Sequence, residues 1–277
     1  MTAYLTYDVF TDRPFGGNPL AVIPDAAHLP EDQLQKIARE FNYSETVFLL
    51  PPQDPGNTAR LRIFTPTMEV PFAGHPTIGA AVALSELGHG PQMRLELPVG
   101  LIEAEARDGT AAFTASQPLD ILAEPAPDLV ARALGLMVSD LATSPVMASM
   151  GLAFTFVELT SRDALSRIAI DVAALRDGHA RHPQGLDFAQ APYVRDGETI
   201  HMRMFAPLDN IPEDPATGSA AAALGRLLCE VEGRDLSLMI HQGEDMGRPS
   251  RISVTATPKA VTIEGHAVRV MQGRLCF

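Results

Sequence analysis

Arg62-Ile-Phe-Thr-Pro66 and Arg203-Met-Phe-Ala-Pro207 are the two stretches on which the fold turns. The first leads through an acidic, proline-bearing loop to Ala73-Gly-His-Pro-Thr-Ile-Gly-Ala-Ala-Val-Ala-Leu84. The second leads through a loop three residues longer to Thr217-Gly-Ser-Ala-Ala-Ala-Ala-Leu224. Each reads as a strand ending R-x-F-x-P, a loop, and then a glycine and one polar residue opening an alanine-rich helix. Gly74 and Gly218 stand half a chain apart, and a shared order of elements over about twenty residues is the mark of a duplicated unit.

Working outward from the repeat, strands and helices alternate in both halves. Tyr4–Phe10, Leu20–Ile23, Thr46–Leu50 and Ala59–Phe64 carry strand patterns, and Leu34, Ile37, Ala38 and Phe41 form one helical face after Pro30. A helix is expected from Pro76 to Leu87, then strands at Met93–Leu97, Leu101–Arg107 and Ala111–Ala115. Gln117–Asp128, with three prolines and its acids, is the best linker in the chain. It sets a first lobe at 1–117 and a second at 118–277. The second is expected to contain helices at Leu129–Leu136, Arg162–Ile168 and Ser219–Glu230. Its strands are expected at Phe154–Leu159, Ile200–Phe205, Leu238–His241, Ile252–Thr257, Val261–Gly265 and Ala267–Gln272. The class is α+β in two pseudo-symmetric lobes.

The 277 residues, 46% hydrophobic and 20% charged, suffice for two cores. Lys and Arg number 21 against 34 Asp and Glu, a formal net charge of −13. A surface this acidic repels phosphate backbones and anionic lipid, so neither nucleic acid nor membrane is expected as a partner. The N-terminal residues lack a signal-peptide pattern and no apolar run approaches the ~18 residues of a membrane span, so a soluble, cytoplasmic chain is expected. Cys229 and Cys276 fit no disulfide or metal-binding spacing and read as buried thiols. His179-Ala-Arg-His182 lacks acids at ligand spacing, and no H-E-x-x-H, P-loop or G-x-S-x-G occurs. No metal and no cofactor are expected.

A glycine and a polar residue at a helix start leave backbone N–H groups open beside the positive end of the helix dipole. Gly74-His75 and Gly218-Ser219 would, in two facing lobes, aim two such ends into one cleft and hold a small carboxylate. The same residues, with Thr217, would also serve as plain helix caps. Glu45 enters an otherwise apolar strand, where loss of hydration suits a carboxyl that takes and gives protons; it also fits an exposed strand end. Asp214, one turn before the second helix, could act in the site or simply complement the dipole.

Gly17-Asn-Pro19, Ser44-Glu-Thr46, Phe64-Thr-Pro66, Pro71-Phe-Ala-Gly-His-Pro76, Glu213-Asp-Pro-Ala-Thr-Gly-Ser-Ala220, Gln242-Gly243 and Gly247-Arg-Pro-Ser250 stand in one order along the chain. In these motifs the sequence resembles the PhzF-like phenazine biosynthesis family, which shares the diaminopimelate epimerase fold. The resemblance implies two lobes, each a β-barrel-like sheet around a central helix, with the last strand, about 267–277, returning to the first lobe. It implies a homodimer and a cofactor-independent isomerase that moves a hydrogen on trans-2,3-dihydro-3-hydroxyanthranilate. Glu45 matches the family's general acid/base; His75, Asp214 and Ser219 match residues lining the substrate pocket; Gly74 and Gly218 match the carboxylate-holding backbone. Epimerases and racemases of this fold place a cysteine at each helix start, where this chain has His75 and Ser219, which disfavours two-base inversion. An epimerase or racemase of an amino or hydroxy acid, and a non-catalytic ligand-binding protein, remain the alternatives. Gly178–Thr199 matches the phenazine enzymes least and is where the pocket wall is expected to differ.

Overall fold

A computed structural model describes residues 1–184 and 187–276. The chain forms two compact units, Met1–Ala115 with the segment from Thr262 onward, and Ser116–Val261. The first contains β1 (Thr2–Val9), β2 (Asn18–Ile23), α1 (Glu31–Phe41), β3 (Glu45–Leu50), β4 (Ala59–Phe64) and β5 (Glu69–Val70). It continues with α2 (Gly74–Glu86), β6 (Gln92–Leu97), β7 (Gly100–Arg107) and β8 (Thr110–Ala115). The second contains β9 (Asp120–Ala123), α3 (Pro127–Leu134), β10 (Val146–Ser149), β11 (Ala153–Glu158), α4 (Arg162–Ser166), α5 (Val172–Arg181) and β12 (Gln190–Asp196). There follow β13 (Thr199–Met202), β14 (Met204–Ala206), β15 (Ile211–Asp214), α6 (Gly218–Glu232), β16 (Leu236–Gln242) and β17 (Ser250–Ala256). The last strand is β18 (Val261–Leu275).

In the first unit eight strands close on themselves in the order β1–β2–β3–β4–β6–β7–β8–β18, and β18 returns antiparallel to β1. The β2–β3 and β4–β6 pairs are parallel, because a helix or the β5–α2 segment crosses between their members. β18 is one strand where the sequence suggests two. Gly265 and His266 do not interrupt it: the Phe10 ring fills the space over Gly265, where a Cβ would lie 2.2 Å from Phe10 Cδ1. The His266 carbonyl accepts from the Phe10 and Thr11 amides.

α2 lies inside this barrel and touches β1, β2, β3, β7 and β8. Every residue from Gly74 to Leu84 is buried, so the helix is small or apolar on all sides, as a helix without a solvent face must be. Full burial of Ile78, Val82 and Leu84 contributes roughly 1.5–3 kcal/mol each. Gly79 is glycine for lack of room: a Cβ there would stand 2.4 Å from Leu20 Cδ2 and 2.9 Å from Val9 Cγ2. Outside the barrel, α1 covers Ile23, Phe48 and Phe64 with Leu34, Ile37 and Ala38.

The second unit repeats the plan. Its ladder runs β9–β10–β11–β12–β13–β16–β17, with β11–β12 and β13–β16 the parallel pairs, and α6 packs on β10, β11, β16 and β17. From β10 the order antiparallel, parallel, antiparallel, parallel, antiparallel is the order seen from β1. Helices α3, α4 and α5 close a separate core around Leu129, Leu134, Leu165, Leu175 and Phe205. The linker stretch is partly structured, since β9 pairs with β10 and Pro127 opens α3. Gly178–Thr199 holds the end of α5 and the buried strand β12, and its Gly185 and Leu186 lie outside the described residues. Among the described residues no helix is long and apolar enough to cross a membrane.

Candidate functional site

The two arginines of the repeat do the same job in each unit. Arg62 forms a two-pronged ion pair with Glu69 (2.8 and 2.6 Å) and lies over the Phe64 ring at 5.1 Å. Arg203 pairs with Glu213 (2.7 and 2.8 Å) and lies over Phe205 at 4.8 Å. Planar guanidinium, carboxylate and ring thus lock the end of one strand to the segment that delivers the helix. From each glutamate the chain continues Glu-x-Pro-x-x-Gly into the helix, Glu69 to Gly74 and Glu213 to Gly218. The three extra residues of the second loop lie wholly before Glu213.

In the first unit this brings His75 against Glu45. β3 starts at Glu45 in parallel register with Leu20 of β2, and Ser44 Oγ donates to the Oδ1 of buried Asn18 at 2.8 Å, fixing the chain where Glu45 enters. The Gly-Asn-Pro turn needs its glycine: Gly17 has φ +55°, and a Cβ there would sit 2.2 Å from the Val9 carbonyl oxygen. His75 Nδ1 lies 3.4 Å from Glu45 Oε2, with side chains 4% and 16% exposed. Burial drives the His75 pKa down to about 3, against a hydrogen bond with the Pro19 backbone that raises it. The imidazole is therefore neutral near pH 7, and Glu45 faces a polar ring rather than a cation.

In the second unit Asp214, Gly218 and Ser219 stand together at the start of α6. Asp214 is buried and its Oδ2 accepts from Thr217 Oγ1 at 2.5 Å. Gln242 ties the turn: its Nε2 donates to the Asp214 carbonyl at 2.7 Å and to Thr217 Oγ1 at 3.0 Å, and its Oε1 accepts the Thr217 amide at 3.0 Å. Ser250 Oγ holds the Pro215 carbonyl at 2.8 Å and the Gln242 carbonyl at 2.9 Å. Ser219 is half-buried. Neither α2 nor α6 has a side-chain cap, whereas α4 is capped by Ser161 and α5 by Asp171. Thr217 is thus spent on Asp214 and Gln242 and does not cap α6; no N-cap side chain serves the opening amides of α2 or α6, as is also so for α1 and α3.

Asn18, Ser44, Thr217, Gln242 and Ser250 all lie in motifs visible in the sequence, but their hydrogen bonds join segments far apart in the chain. Strand pairing also aligns the two copies residue by residue. Phe64 pairs with Thr46 and Phe205 with Gln190, so Glu45 corresponds to Ala189, and His75 corresponds to Ser219. Cys229 is buried within α6, and Cys276, past β18, is exposed, which corrects the expectation of two buried thiols. Neither is at a helix start.

The phenazine biosynthesis-like protein family model matches residues 7–273. The chain belongs to this family. It is 40% identical, over 98% of both chains, to an uncharacterised isomerase of Mesorhizobium japonicum. It is 37% identical to the trans-2,3-dihydro-3-hydroxyanthranilate isomerase of Pseudomonas fluorescens, over 99% of both. The fold is that of a phenazine biosynthesis protein of the PhzF family from Bacillus anthracis, with TM-score 0.89 and 24% identity over 100% of this chain and 99% of the other.

Proposed function

We propose that this family member is a cofactor-independent isomerase that moves a hydrogen on a small, cyclic, unsaturated carboxylic acid of the trans-2,3-dihydro-3-hydroxyanthranilate type. The Glu45–His75 pair supports this reading, together with the absence of an acid at the corresponding Ala189. One carboxylate suits removal and return of a proton on one face of a substrate; inversion would call for two opposed groups. Glu45 takes a proton from a carbon next to the unsaturated system, the electron pair delocalises into that system, and the protonated carboxyl delivers the proton to another carbon. Atoms and charge balance without an oxidant or reductant. The neutral His75 sets a polar ring, and no full positive charge, beside Glu45.

Within the first unit the amides opening α2 at Gly74 and the His75 ring, and within the second the amides opening α6 at Gly218 with Asp214 and Ser219, are the groups suited to a carboxylate and to ring substituents. Fixed dipoles of this kind hold a carboxylate at little cost, because they are already oriented. Glu45→Gln is the decisive variant. It should still bind 3-hydroxyanthranilate but turn over the dihydro substrate at least ~100-fold more slowly; undiminished turnover excludes the assignment. Homodimerisation belongs to the same reading and is checked by sedimentation equilibrium.

A further inference from the structure

The hairpin loops after β6 and β16 differ between the two copies. In the first unit Pro98 and Val99 alone join β6 to β7; in the second, residues 243–249 join β16 to β17. This longer loop is a closed clasp. Gly243 and Gly247 have φ +74° and +70°, and the Arg248 amide donates back to the Gly243 carbonyl at 3.0 Å. A Cβ on Gly243 would stand 2.7 Å from the Pro215 carbonyl oxygen, so the loop rests on the turn that leads into α6.

Its two ends are Gln242 and Ser250, the residues that hold Asp214, Pro215 and Thr217. Its outer side is pinned from α4. Arg162 donates to Asp245 at 2.8 Å and to Glu244 at 3.3 Å, and Ser166 Oγ donates to Asp245 at 3.0 Å. On β13, His201 Nδ1 lies 2.8 Å from Glu244 Oε2. Arg162 therefore reaches the start of α6 through one continuous set of bonds: Arg162, Asp245, the closed loop, Gln242, Thr217.

We propose that Arg162 is a positioning residue. By locking the 243–249 clasp it holds the Gly218 and Ser219 amides in the orientation that receives the substrate's carboxylate. This rests on the function proposed above for those amides. An interaction made equally in ground and transition state appears in KM and leaves kcat alone.

The test compares wild type with Arg162→Ala, Arg162→Lys and Asp245→Asn in two measurements. Amide hydrogen exchange at Thr217 and Ala221, whose N–H groups donate to Gln242 Oε1 and to the Thr217 carbonyl, reads the clasp alone when no ligand is present. It should quicken about tenfold in Arg162→Ala, as expected when a charge-assisted bond of about 1.5 kcal/mol is lost. Steady-state kinetics should show KM for the dihydro substrate and Kd for 3-hydroxyanthranilate rising about tenfold, with kcat within about twofold. Arg162→Lys should recover part of both effects, and Asp245→Asn should reproduce Arg162→Ala. Unchanged exchange overturns the clasp. Faster exchange with unchanged KM and Kd overturns the assignment of α6 to the carboxylate. A lowered kcat and melting temperature with unchanged KM reduces Arg162 to a structural role and overturns the proposal.

Discussion

Beside the opening of its central helix the first unit places Glu45 and His75; at the matching positions the second places Ala189 and Ser219. The frames that carry these pairs are nearly the same: one ladder order, one arginine–glutamate–phenylalanine lock and one uncapped helix start. Duplication thus gives two equivalent helix ends, with a carboxyl–imidazole pair beside only one of them. The second copy invested in rigidity, through Gln242, Ser250 and the clasp after β16. Matched substitutions in the two copies test that division.

The largest effect is expected for the side chains at the helix openings. Glu45→Gln should lower kcat by about 10²–10⁴-fold, whereas Ser219→Ala should cost only a few-fold, mainly in KM, since it removes one hydrogen-bonding group. Equal losses in kcat would break the comparison. Next are the locks. Arg203 is 11% exposed and also donates to the Leu165 carbonyl, while Arg62 is 19% exposed. Arg203→Ala should destabilise by about 3 kcal/mol, toward the range for breaking a buried pair, and Arg62→Ala by somewhat less, as read from urea unfolding.

His75 gives a pH dependence that Ser219 cannot. Its folded pKa, about 3, is below the ordinary ~6.5 of the unfolded chain. As pH falls the unfolded state protonates first, so the contribution to stability is complete above pH ~6.5 and is lost progressively toward pH 3. The slope approaches ~1.4 kcal/mol per pH unit, and His75→Asn should flatten it in denaturant melts at successive pH values; an unchanged slope would contradict the burial argument. The smallest effects belong to the helix glycines. Gly79→Ala meets Leu20 at 2.4 Å and Gly225→Ala meets Val254 at 2.6 Å. Each should lose about 1 kcal/mol or slightly more in thermal unfolding, because overpacking exceeds the gain in helix propensity.

Much of this arrangement was legible in the sequence because it is written twice. The R-x-F-x-P strands, the glycines at 74 and 218 and the alanine-rich helices stand out from local pattern alone, and they carry the α+β class and the candidate helix openings. The partners that fix those openings did not stand out. Arg62 meets Glu69 seven residues on, but Arg203 meets Glu213 ten residues on, so no single spacing reveals the pair. Gln242 and Ser250 act on a turn more than twenty residues earlier. Strand β12 was hidden by Gln190 and Pro192, poor strand residues that its central place between β11 and β13 overrides. Helix α5 was hidden by its polar surface; it is held by the Asp171 cap and by Ala174 and Leu175 packed in the core. That Glu45 has no acidic twin became visible only through strand register.

One carboxyl, Glu45, is proposed to carry the hydrogen from carbon to carbon. Substrate deuterated at the carbon that loses hydrogen, converted in ordinary water by wild type and by Glu45→Gln and followed by NMR, tests it directly. Wild type should retain deuterium in part at the receiving carbon, and Glu45→Gln should leave the substrate bound but unconverted. Product formed by Glu45→Gln at near the wild-type rate, with the label washed out to water in both, would contradict it.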